Sequence, residues 1–341
     1  MLTHASIFDS PAKNTFYIIY HHVSIVISLI VNATLITLIL KYSRKEMGAY
    51  RYLLLTFASF DIYYGIVHFL VMPIPEGWGN AFLMGAHGYV TGKLAVSWFA
   101  AVHSHSFIVL VFHFLYRLLA VRGSYYIQYF KKFWCFQAQM MCVAAVGAVW
   151  FCVIHYLYDA DKFVTDYVEP ILKNHTIASS LPLEDYTTAV FWSNGTFSGP
   201  RWKPICGFFI MSVTMCSAYG FMIFAAHKIR RLMMTASASL SKKTVSLQKQ
   251  LMLALMYQTI LPLVTAYSPP LIAVSAPFFG ISLSVTNLTS ILCGAHPWLD
   301  GCVIIWAITE YRMHLLHFLR IRKKSDTVEI ISSKNSINSK Y

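Results

Sequence analysis

Apolar residues fall into seven long runs separated by shorter polar gaps. A helix rises about 1.5 Å per residue, so crossing a hydrocarbon core of roughly 30 Å takes about 20 mostly apolar residues. Backbone groups in lipid must be satisfied within their own segment, which favours helices. We therefore predict an all-α membrane protein, a bundle of seven transmembrane helices, with spans at 16–40, 52–72, 94–119, 139–158, 204–227, 251–274 and 280–308.

The composition fits this class, because 57% of the residues are hydrophobic and 12% are charged. A short segment, 1–15, precedes the bundle, which fills 16–308, and no part outside the membrane is expected to form a core of its own. The first apolar run is followed by a basic cluster, the reverse of the order in a cleavable signal peptide. We expect it to remain in the mature protein as a helix.

Positive charge is concentrated in every second gap. The gaps 41–51, 117–132 and 228–250 and the segment after 308 hold 21 of the 27 Lys and Arg residues. Cytoplasmic loops are enriched in Lys and Arg, so the N-terminus is predicted outside and the C-terminus inside. The net charge of +13 then reflects a basic inner face, and we expect no nucleic-acid partner.

The loop 159–203, predicted to be extracellular, contains two glycosylation acceptors, Asn174 and Asn194, each followed two residues later by Thr. We predict a glycoprotein on this basis. Six of the seven cysteines lie in a span or at its inner margin, so we interpret the cysteines as packing residues rather than as a disulfide framework.

Two carboxylates, Asp61 and Asp300, lie inside spans, where ionisable groups are costly and point to function. By helical rise, both carboxylates lie about 15 Å from the inner margin of the membrane, and Asn32 falls at a similar depth. His296 is one helical turn from Asp300 and so shares its face. We predict an inward-facing cluster of Asn32, Asp61, His296 and Asp300 that binds a cation or a proton and repacks on activation. The alternative is a static polar network that joins the helices.

The 14 histidines do not form a zinc-type set of three ligands in the sequence, and His103 and His105 project from different sides of one helix. No serine elbow, Cys–His pair or HExxH motif is present. We therefore expect neither an enzyme nor a cofactor or bound catalytic metal.

Polar and aromatic residues gather in the outer halves of the third, sixth and seventh spans. They predict a cavity for a small, mostly apolar ligand with one or two polar atoms. Pro262 and Pro297 favour kinks in the last two spans. The candidate ligand residues are Trp98, His103, His105, Tyr267, Ser268, Asn287 and Ser290.

Four motifs occur in order: KEMGAYRYLL at 45–54, HFLYR at 113–117, HPWLD at 296–300, and Tyr311-Arg312. Together they resemble the nematode Str-type serpentine chemoreceptors, which are seven-helix G-protein-coupled receptors of sensory neurons, over nearly the whole chain. The resemblance implies an olfactory receptor of the plasma membrane, in the sensory cilium, with a small-molecule ligand outside and a heterotrimeric G protein inside.

The chain departs from the rhodopsin-like pattern at two places. Tyr116 stands where an acid would precede Arg117, and Leu118 stands where an aromatic residue would follow, so no ionic lock with that acid is available. His296 stands in the place of the asparagine before Pro297. The segment 78–93 also contains no cysteine for the usual bridge to the second outer loop.

The inner face is predicted to contact the G protein, although the same cations also suit anionic lipid headgroups. Its candidate residues are Tyr116, Arg117, Lys228, Arg230, Arg231, Lys242, Lys243, Tyr311 and Arg312. Segment 309–324 is predicted to be an amphipathic eighth helix lying on the membrane, and 325–341 a disordered cytoplasmic tail.

Two other classes of protein were weighed. An odorant-gated cation channel subunit of the insect type has its N-terminus inside, against the charge distribution. An intramembrane metal hydrolase of the seven-helix kind would need several converging histidines.

Overall fold

A computed structural model describes residues 11–43, 47–173, 183–236, 242–282 and 286–319. Within these residues, seven helical spans are long and apolar enough to cross a bilayer, which confirms the predicted seven-helix fold. The helices are α1 (Pro11–Tyr42), α2 (Tyr50–Val71), α3 (Lys93–Val121), α4 (Phe133–Cys152), α5 (Lys162–Lys173), α6 (Trp202–Ala236), α7 (Lys242–Pro262), α8 (Ser268–Phe278), α9 (Thr286–Ala307) and α10 (Thr309–Phe318).

Helix α3 lies at the centre of the bundle. It packs against α2, α4, α6 and α7, while α1 packs against α2 and α9. The helices at the periphery expose large apolar side chains, such as Ile30 on α1 and Ile223 on α6. In a membrane protein these side chains face lipid, so their exposure carries no hydrophobic cost.

Two π-helical turns interrupt the spans. Val153–Leu157 continues α4, and Leu263–Tyr267 joins α7 to α8 so that the two helices form one span. The second turn directly follows Pro262, whose missing N–H removes one donor from the helical ladder and favours such a shift.

Helix α6 is longer at its inner end than the predicted span 204–227. Its apolar side continues to Ile229, which is fully buried, while Lys228, Arg230 and Arg231 occupy exposed positions. The basic residues that marked the end of the span in the sequence therefore belong to the same helix.

An antiparallel sheet covers one end of the bundle, with strands β1 (Pro73–Trp78), β2 (Ala81–Ala86) and β3 (Thr187–Val190) in that spatial order. We call this the outer end, following the charge prediction, and the opposite end the inner end. Gly79, at φ +54°, lies in the two-residue turn between β1 and β2, where a left-handed backbone suits glycine.

Strand β2 is buried on both faces. Phe82 and Met84 face the bundle, whereas Ala81 and Leu83 pack with Val164 and other residues of α5 and β3 in a separate small cluster. The prediction that no segment outside the membrane forms its own core was therefore wrong. The cause is a strand pairing across about a hundred residues, which no local pattern reveals.

Candidate functional site

A cavity of about 90 Å³ lies beneath the sheet, between α3, α4, α6, α8 and α9. Carbon atoms form nearly all of its surface, so it suits an apolar molecule. Its walls include Pro73, Pro75, Phe82, Met84, Phe99, Ala100, Trp150, Ile154, Tyr158, Phe208, Met211, Met215, Leu271 and Val274.

Several polar groups line the cavity, and those on α3, α9 and the turn before α8 include three with partners, whereas Trp150 Nε1 and the Tyr158 hydroxyl have none among the described residues. The Tyr267 hydroxyl hydrogen-bonds the Ser106 hydroxyl, and the Ser290 hydroxyl lies 2.7 Å from that of Tyr17. His103 Nδ1 lies 3.4 Å from the Tyr64 hydroxyl. The unpaired indole N–H and phenol hydroxyl are available to hold a polar atom of a ligand.

Three of the predicted ligand residues, His103, Tyr267 and Ser290, line this cavity. The side chain of Asn287 lies outside the described part of the structure. The remaining three lie elsewhere in the bundle.

Trp98, His105 and Ser268 do not line the cavity, so their contact with a ligand stays a prediction. Trp98 Nε1 donates to the Tyr63 hydroxyl at 2.9 Å, and Ser268 Oγ donates back to its own helix. His105 packs against Gly147 of α4, where a Cβ would come within 2.4 Å of Nε2. Helical periodicity turns them away from the cavity, a feature that position along a span does not show.

Below the cavity, a polar layer brings together Asp61 from α2 with His296 and Asp300 from α9. One ligand atom from each residue lies within 4.8 Å of the others. His296 Nδ1 is 3.4 Å from Asp300 Oδ2, and each of the three is at most 1% exposed. Asn32 borders the layer, because its Nδ2 donates to Pro297 O at 3.0 Å.

Several oxygen atoms of this layer have no hydrogen-bond partner among the described residues, including Asn32 Oδ1, Asp61 Oδ2 and both carboxylate oxygens of Asp300. Within the same residues no Lys or Arg pairs with either acid. Burying a carboxylate is costly unless it is protonated, paired or bound to a cation. The layer therefore has the chemistry to hold a proton or a cation.

Aromatic rings connect the cavity to the polar layer. The Tyr64 ring centre lies 6.0 Å from that of His103 and 5.4 Å from that of His296. The Tyr267 ring centre lies 4.9 Å from that of His103 and 6.5 Å from that of His296. A ligand that shifts His103 or Tyr267 thus acts on side chains that touch the polar layer.

At the inner end, Arg117 is only 2% exposed. Its Nη2 donates to Gln248 O of α7 at 3.1 Å, and its guanidinium lies 5.6 Å from the centre of the Tyr50 ring on α2. A backbone carbonyl and an aromatic ring take the place of the acid that the sequence lacks. Arg117 therefore joins α3 to α2 and α7.

Tyr116 and Tyr311 are buried as well, so the predicted contact of these two residues and Arg117 with a G protein would need a different conformation. The Tyr116 hydroxyl donates to Met47 O at 3.5 Å, and the Tyr311 hydroxyl lies 2.7 Å from that of Ser43. Arg312 donates to Trp306 O at 2.9 Å. Most of these polar side chains at the inner end therefore bond to backbone carbonyls of the bundle itself.

The side chains of the remaining cations at the inner end are only partly described. Lys228, Arg230 and Arg231 are exposed on the last turns of α6. Lys242 and Lys243 lie in α7, and their side chains are outside the described part of the structure.

Comparison with known proteins identifies the family. The family described as serpentine type 7TM GPCR chemoreceptor Str matches residues 17–316. The chain belongs to this family. Serpentine receptor class r-10 of Caenorhabditis elegans is 27% identical over 312 residues, which cover 89% of this chain and 91% of the relative.

Two further Caenorhabditis elegans relatives cover the chain to the same extent. Serpentine receptor class J-38 is 26% identical over 312 residues, 89% of this chain and 93% of the relative. G-protein coupled receptor str-33 is 19% identical over 314 residues, 89% of this chain and 91% of the relative. This Str receptor is thus a multi-pass membrane protein of the chemoreceptor class along nearly its whole length.

The outer loops of the receptor hold one described glycosylation acceptor. Asn194 is exposed in a turn before α6, open to modification, whereas Asn174 lies outside the described residues. All seven cysteines are described and none is in a disulfide. Cys293 is the buried one, whereas five are exposed on the helices, so the packing interpretation was wrong for those five.

Sequence reasoning missed the sheet and the α4 wall of the cavity in this receptor. Pro73, Phe82, Trp150 and Tyr158 line it without any polar or motif signal. The one usable signal was the apolar content of the segment 73–86, which is unusual for a loop in water.

Proposed function

We propose that this chain is a chemosensory receptor that binds a small neutral molecule in the cavity beneath the outer sheet and activates a heterotrimeric G protein. The relatives are named as serpentine or G-protein coupled receptors, which supports this class of activity. The plasma membrane, with the N-terminus outside, and the sensory cilium are the proposed locations.

The main supporting observation is the short distance between the cavity and the polar layer. His103 and Tyr267 line the cavity, and both Tyr64 and Tyr267 contact His296 by ring packing. Two arrangements of these rings would differ in how α9 packs against α2 and α3. The ligand needs to favour only one of them to shift the equilibrium.

At the inner end, Arg117 is the residue through which we propose that activation reaches the G protein. Its hydrogen bond to Gln248 O holds α3 to α7 in the closed bundle. Activation then requires α7 to move from α3, which exposes Arg117 to a G protein beside the cations of α6. This sequence of movements couples the outer cavity to the inner face.

A calcium or cAMP assay in cells that express the chain, screened with volatile and water-soluble small molecules, tests the proposal. We expect an agonist whose response is lost in Arg117→Ala while surface expression is kept. Lys41→Ala, an exposed cation at the inner end of α1, is the matched control and should respond normally. A response that persists in Arg117→Ala would contradict the proposal.

An epitope tag before residue 11 tests orientation independently. Antibody should reach it on intact cells. Staining that appears only after permeabilisation would instead favour the channel class.

A further inference from the structure

The cavity is closed toward the outer medium by two layers of structure. Phe82 and Met84 of β2 form part of its ceiling, and the opposite face of β2 is covered by α5. Ion pairs secure this cover, Lys93 to Asp159 at 2.5 Å and Arg201 to Asp161. A direct route from water would have to cross a sheet and a helix.

The exposure of the lining residues shows where the cavity is less enclosed. Those on the sheet, α3, α4 and α9 are all buried. The half-buried ones are Phe208, Met211 and Ser212 on α6, and Pro270 and Leu271 on α8. All five lie on the facing edges of two helices, so the opening is at a single seam.

Two aromatic contacts close the seam above and below this point. Phe208 stacks on Phe278 with ring centres 5.1 Å apart, and Tyr219 meets Tyr267 at 5.9 Å. Between them α6 packs mainly against α3 and the end of α4, with little contact to α8. The result is a window that opens on the hydrocarbon region.

The chemistry of this window is apolar. Met211 and Leu271 form its sides, and methionine adapts its shape readily. No charged residue lines the cavity among the described residues. Transfer of apolar surface out of water is favourable, so an apolar solute concentrates in the bilayer beside the window.

We propose that ligands enter and leave this cavity sideways from the bilayer, through the window between α6 and α8, and are therefore neutral molecules that partition into membranes. This inference rests on the proposed ligand role of the cavity and adds its route and ligand class. A permanently charged, lipid-insoluble molecule is excluded as a ligand.

Cys293 lines the cavity and provides a native reporter of access. The receptor in nanodiscs is treated with methyl methanethiosulfonate, which is neutral, or with its cationic trimethylammonium-ethyl analogue. In either case the Cys293 sulfur attacks the sulfenyl sulfur, a mixed disulfide forms, and methanesulfinate leaves together with the thiol proton as methanesulfinic acid, so the step needs no water in the cavity. Peptide mass spectrometry follows Cys293 over time.

We expect the neutral reagent to modify Cys293 and the cationic reagent to leave it unmodified. Leu271→Trp should slow the neutral reaction by about tenfold or more, since about 1.4 kcal/mol on the barrier gives that factor. Ile272→Trp, one residue along and 52% exposed, is the matched control and should react normally. Ser212→Phe narrows the window from the α6 side. It replaces Leu271→Trp in the same measurement if that variant does not fold.

Two internal standards validate the reagents. Cys216 is exposed on α6 within its span and reports that the neutral reagent has entered the bilayer. In the Ser198→Cys variant, an exposed outer-loop position reports the activity of the cationic reagent.

Modification of Cys293 by the cationic reagent at a comparable rate would overturn the proposal, because it would reveal an aqueous route. An unchanged rate in both window variants, or no reaction of Cys293 with either reagent while the standards react, would overturn it too. Since signalling is not measured, a receptor with normal access but no agonist response would contradict the proposed function and leave the route intact.

Discussion

The outer cavity and the polar layer are both buried inside one bundle, yet they differ in what burial costs. The cavity is walled almost entirely by carbon, and no charged residue of the described chain lines it. The layer holds two carboxyl groups with unpaired oxygens. The first region can remain empty without leaving a buried charge unpaired, whereas the second must take up a proton or a cation, or move.

That difference suggests a division of roles. An apolar cavity selects ligands by shape and transfer from water, with few directional contacts. A strained polar layer is sensitive to small shifts of its neighbours, since hydrogen bonds and charge pairs lose energy steeply with distance and angle. Recognition and switching would then reside about one helical turn apart.

Filling the cavity should produce the largest effect. Ala100 is buried in the α3 wall, and Ala100→Phe would occupy the space that the ligand needs. We expect agonist potency to fall by about 100-fold or more, with surface expression kept, because overpacking costs roughly 1–3 kcal/mol and the ligand contacts are lost in addition. Dose–response curves and cell-surface staining measure this.

Val213→Phe is the control for this substitution, because Val213 is 64% exposed toward lipid on α6. A normal dose–response curve for Ala100→Phe would show that the ligand binds elsewhere.

Removing one acid should separate binding from switching. In Asp61→Asn the layer loses a carboxyl group that has a burial cost, so we expect a melting temperature equal to or above that of the unmodified receptor. The agonist response should fall by about 5- to 150-fold, the range of typical coupling energies. Thermal melting and a cell assay measure the two effects.

A normal agonist response of Asp61→Asn would identify the layer as a static network. Ser59→Ala, at an exposed position two residues from Asp61 on α2, is the control for local changes in that helix.

A smaller loss of agonist potency is expected from a substitution between the cavity and the polar layer. Tyr267→Phe removes the hydroxyl that bonds Ser106 but keeps the ring against His103 and His296. One hydrogen bond contributes about 0.5–1.5 kcal/mol, so agonist potency should drop by roughly 2- to 10-fold. Tyr63→Phe, which lies outside the cavity, should leave potency unchanged. Equal effects of both substitutions would argue against a special position for Tyr267.

The smallest effect on signalling is expected from a substitution of His87, which lies beside the outer sheet. Burial lowers the pKa of His87, next to β2, to about 4. The unfolded chain, with a pKa near 6.5, binds this proton first as pH falls, so stability should decline between about pH 6.5 and 4 and then level off.

His87→Gln should reduce the pH dependence of melting over that range by about 1–3 kcal/mol, with little change in agonist potency at neutral pH. Melting curves of the purified receptor at several pH values test this. Identical pH dependence in the variant would mean that His87 is not buried beside the sheet.

The sequence was most informative where lipid imposes strict rules. Apolar length predicted seven helical spans, and helical depth brought Asp61, His296 and Asp300 to one level before any contact was visible. It could not predict which way each polar residue faces, and so it did not show that Trp98, His105 and Ser268 point away from the cavity. The sheet was missed because β2 and β3 are distant in the chain. The partner of Arg117 was missed because it is a backbone carbonyl, which every residue has and which no residue type indicates.

The most direct test of the central claim measures agonist binding and agonist-driven nucleotide exchange on a G protein in the same nanodisc preparation. The agonist is the one found in the cell screen. We predict that Ala100→Phe loses both activities, whereas Asp61→Asn keeps binding and loses most of the exchange. Loss of binding in Asp61→Asn equal to that in Ala100→Phe, or undiminished exchange in both variants, would contradict the separation of a ligand cavity from a polar switch.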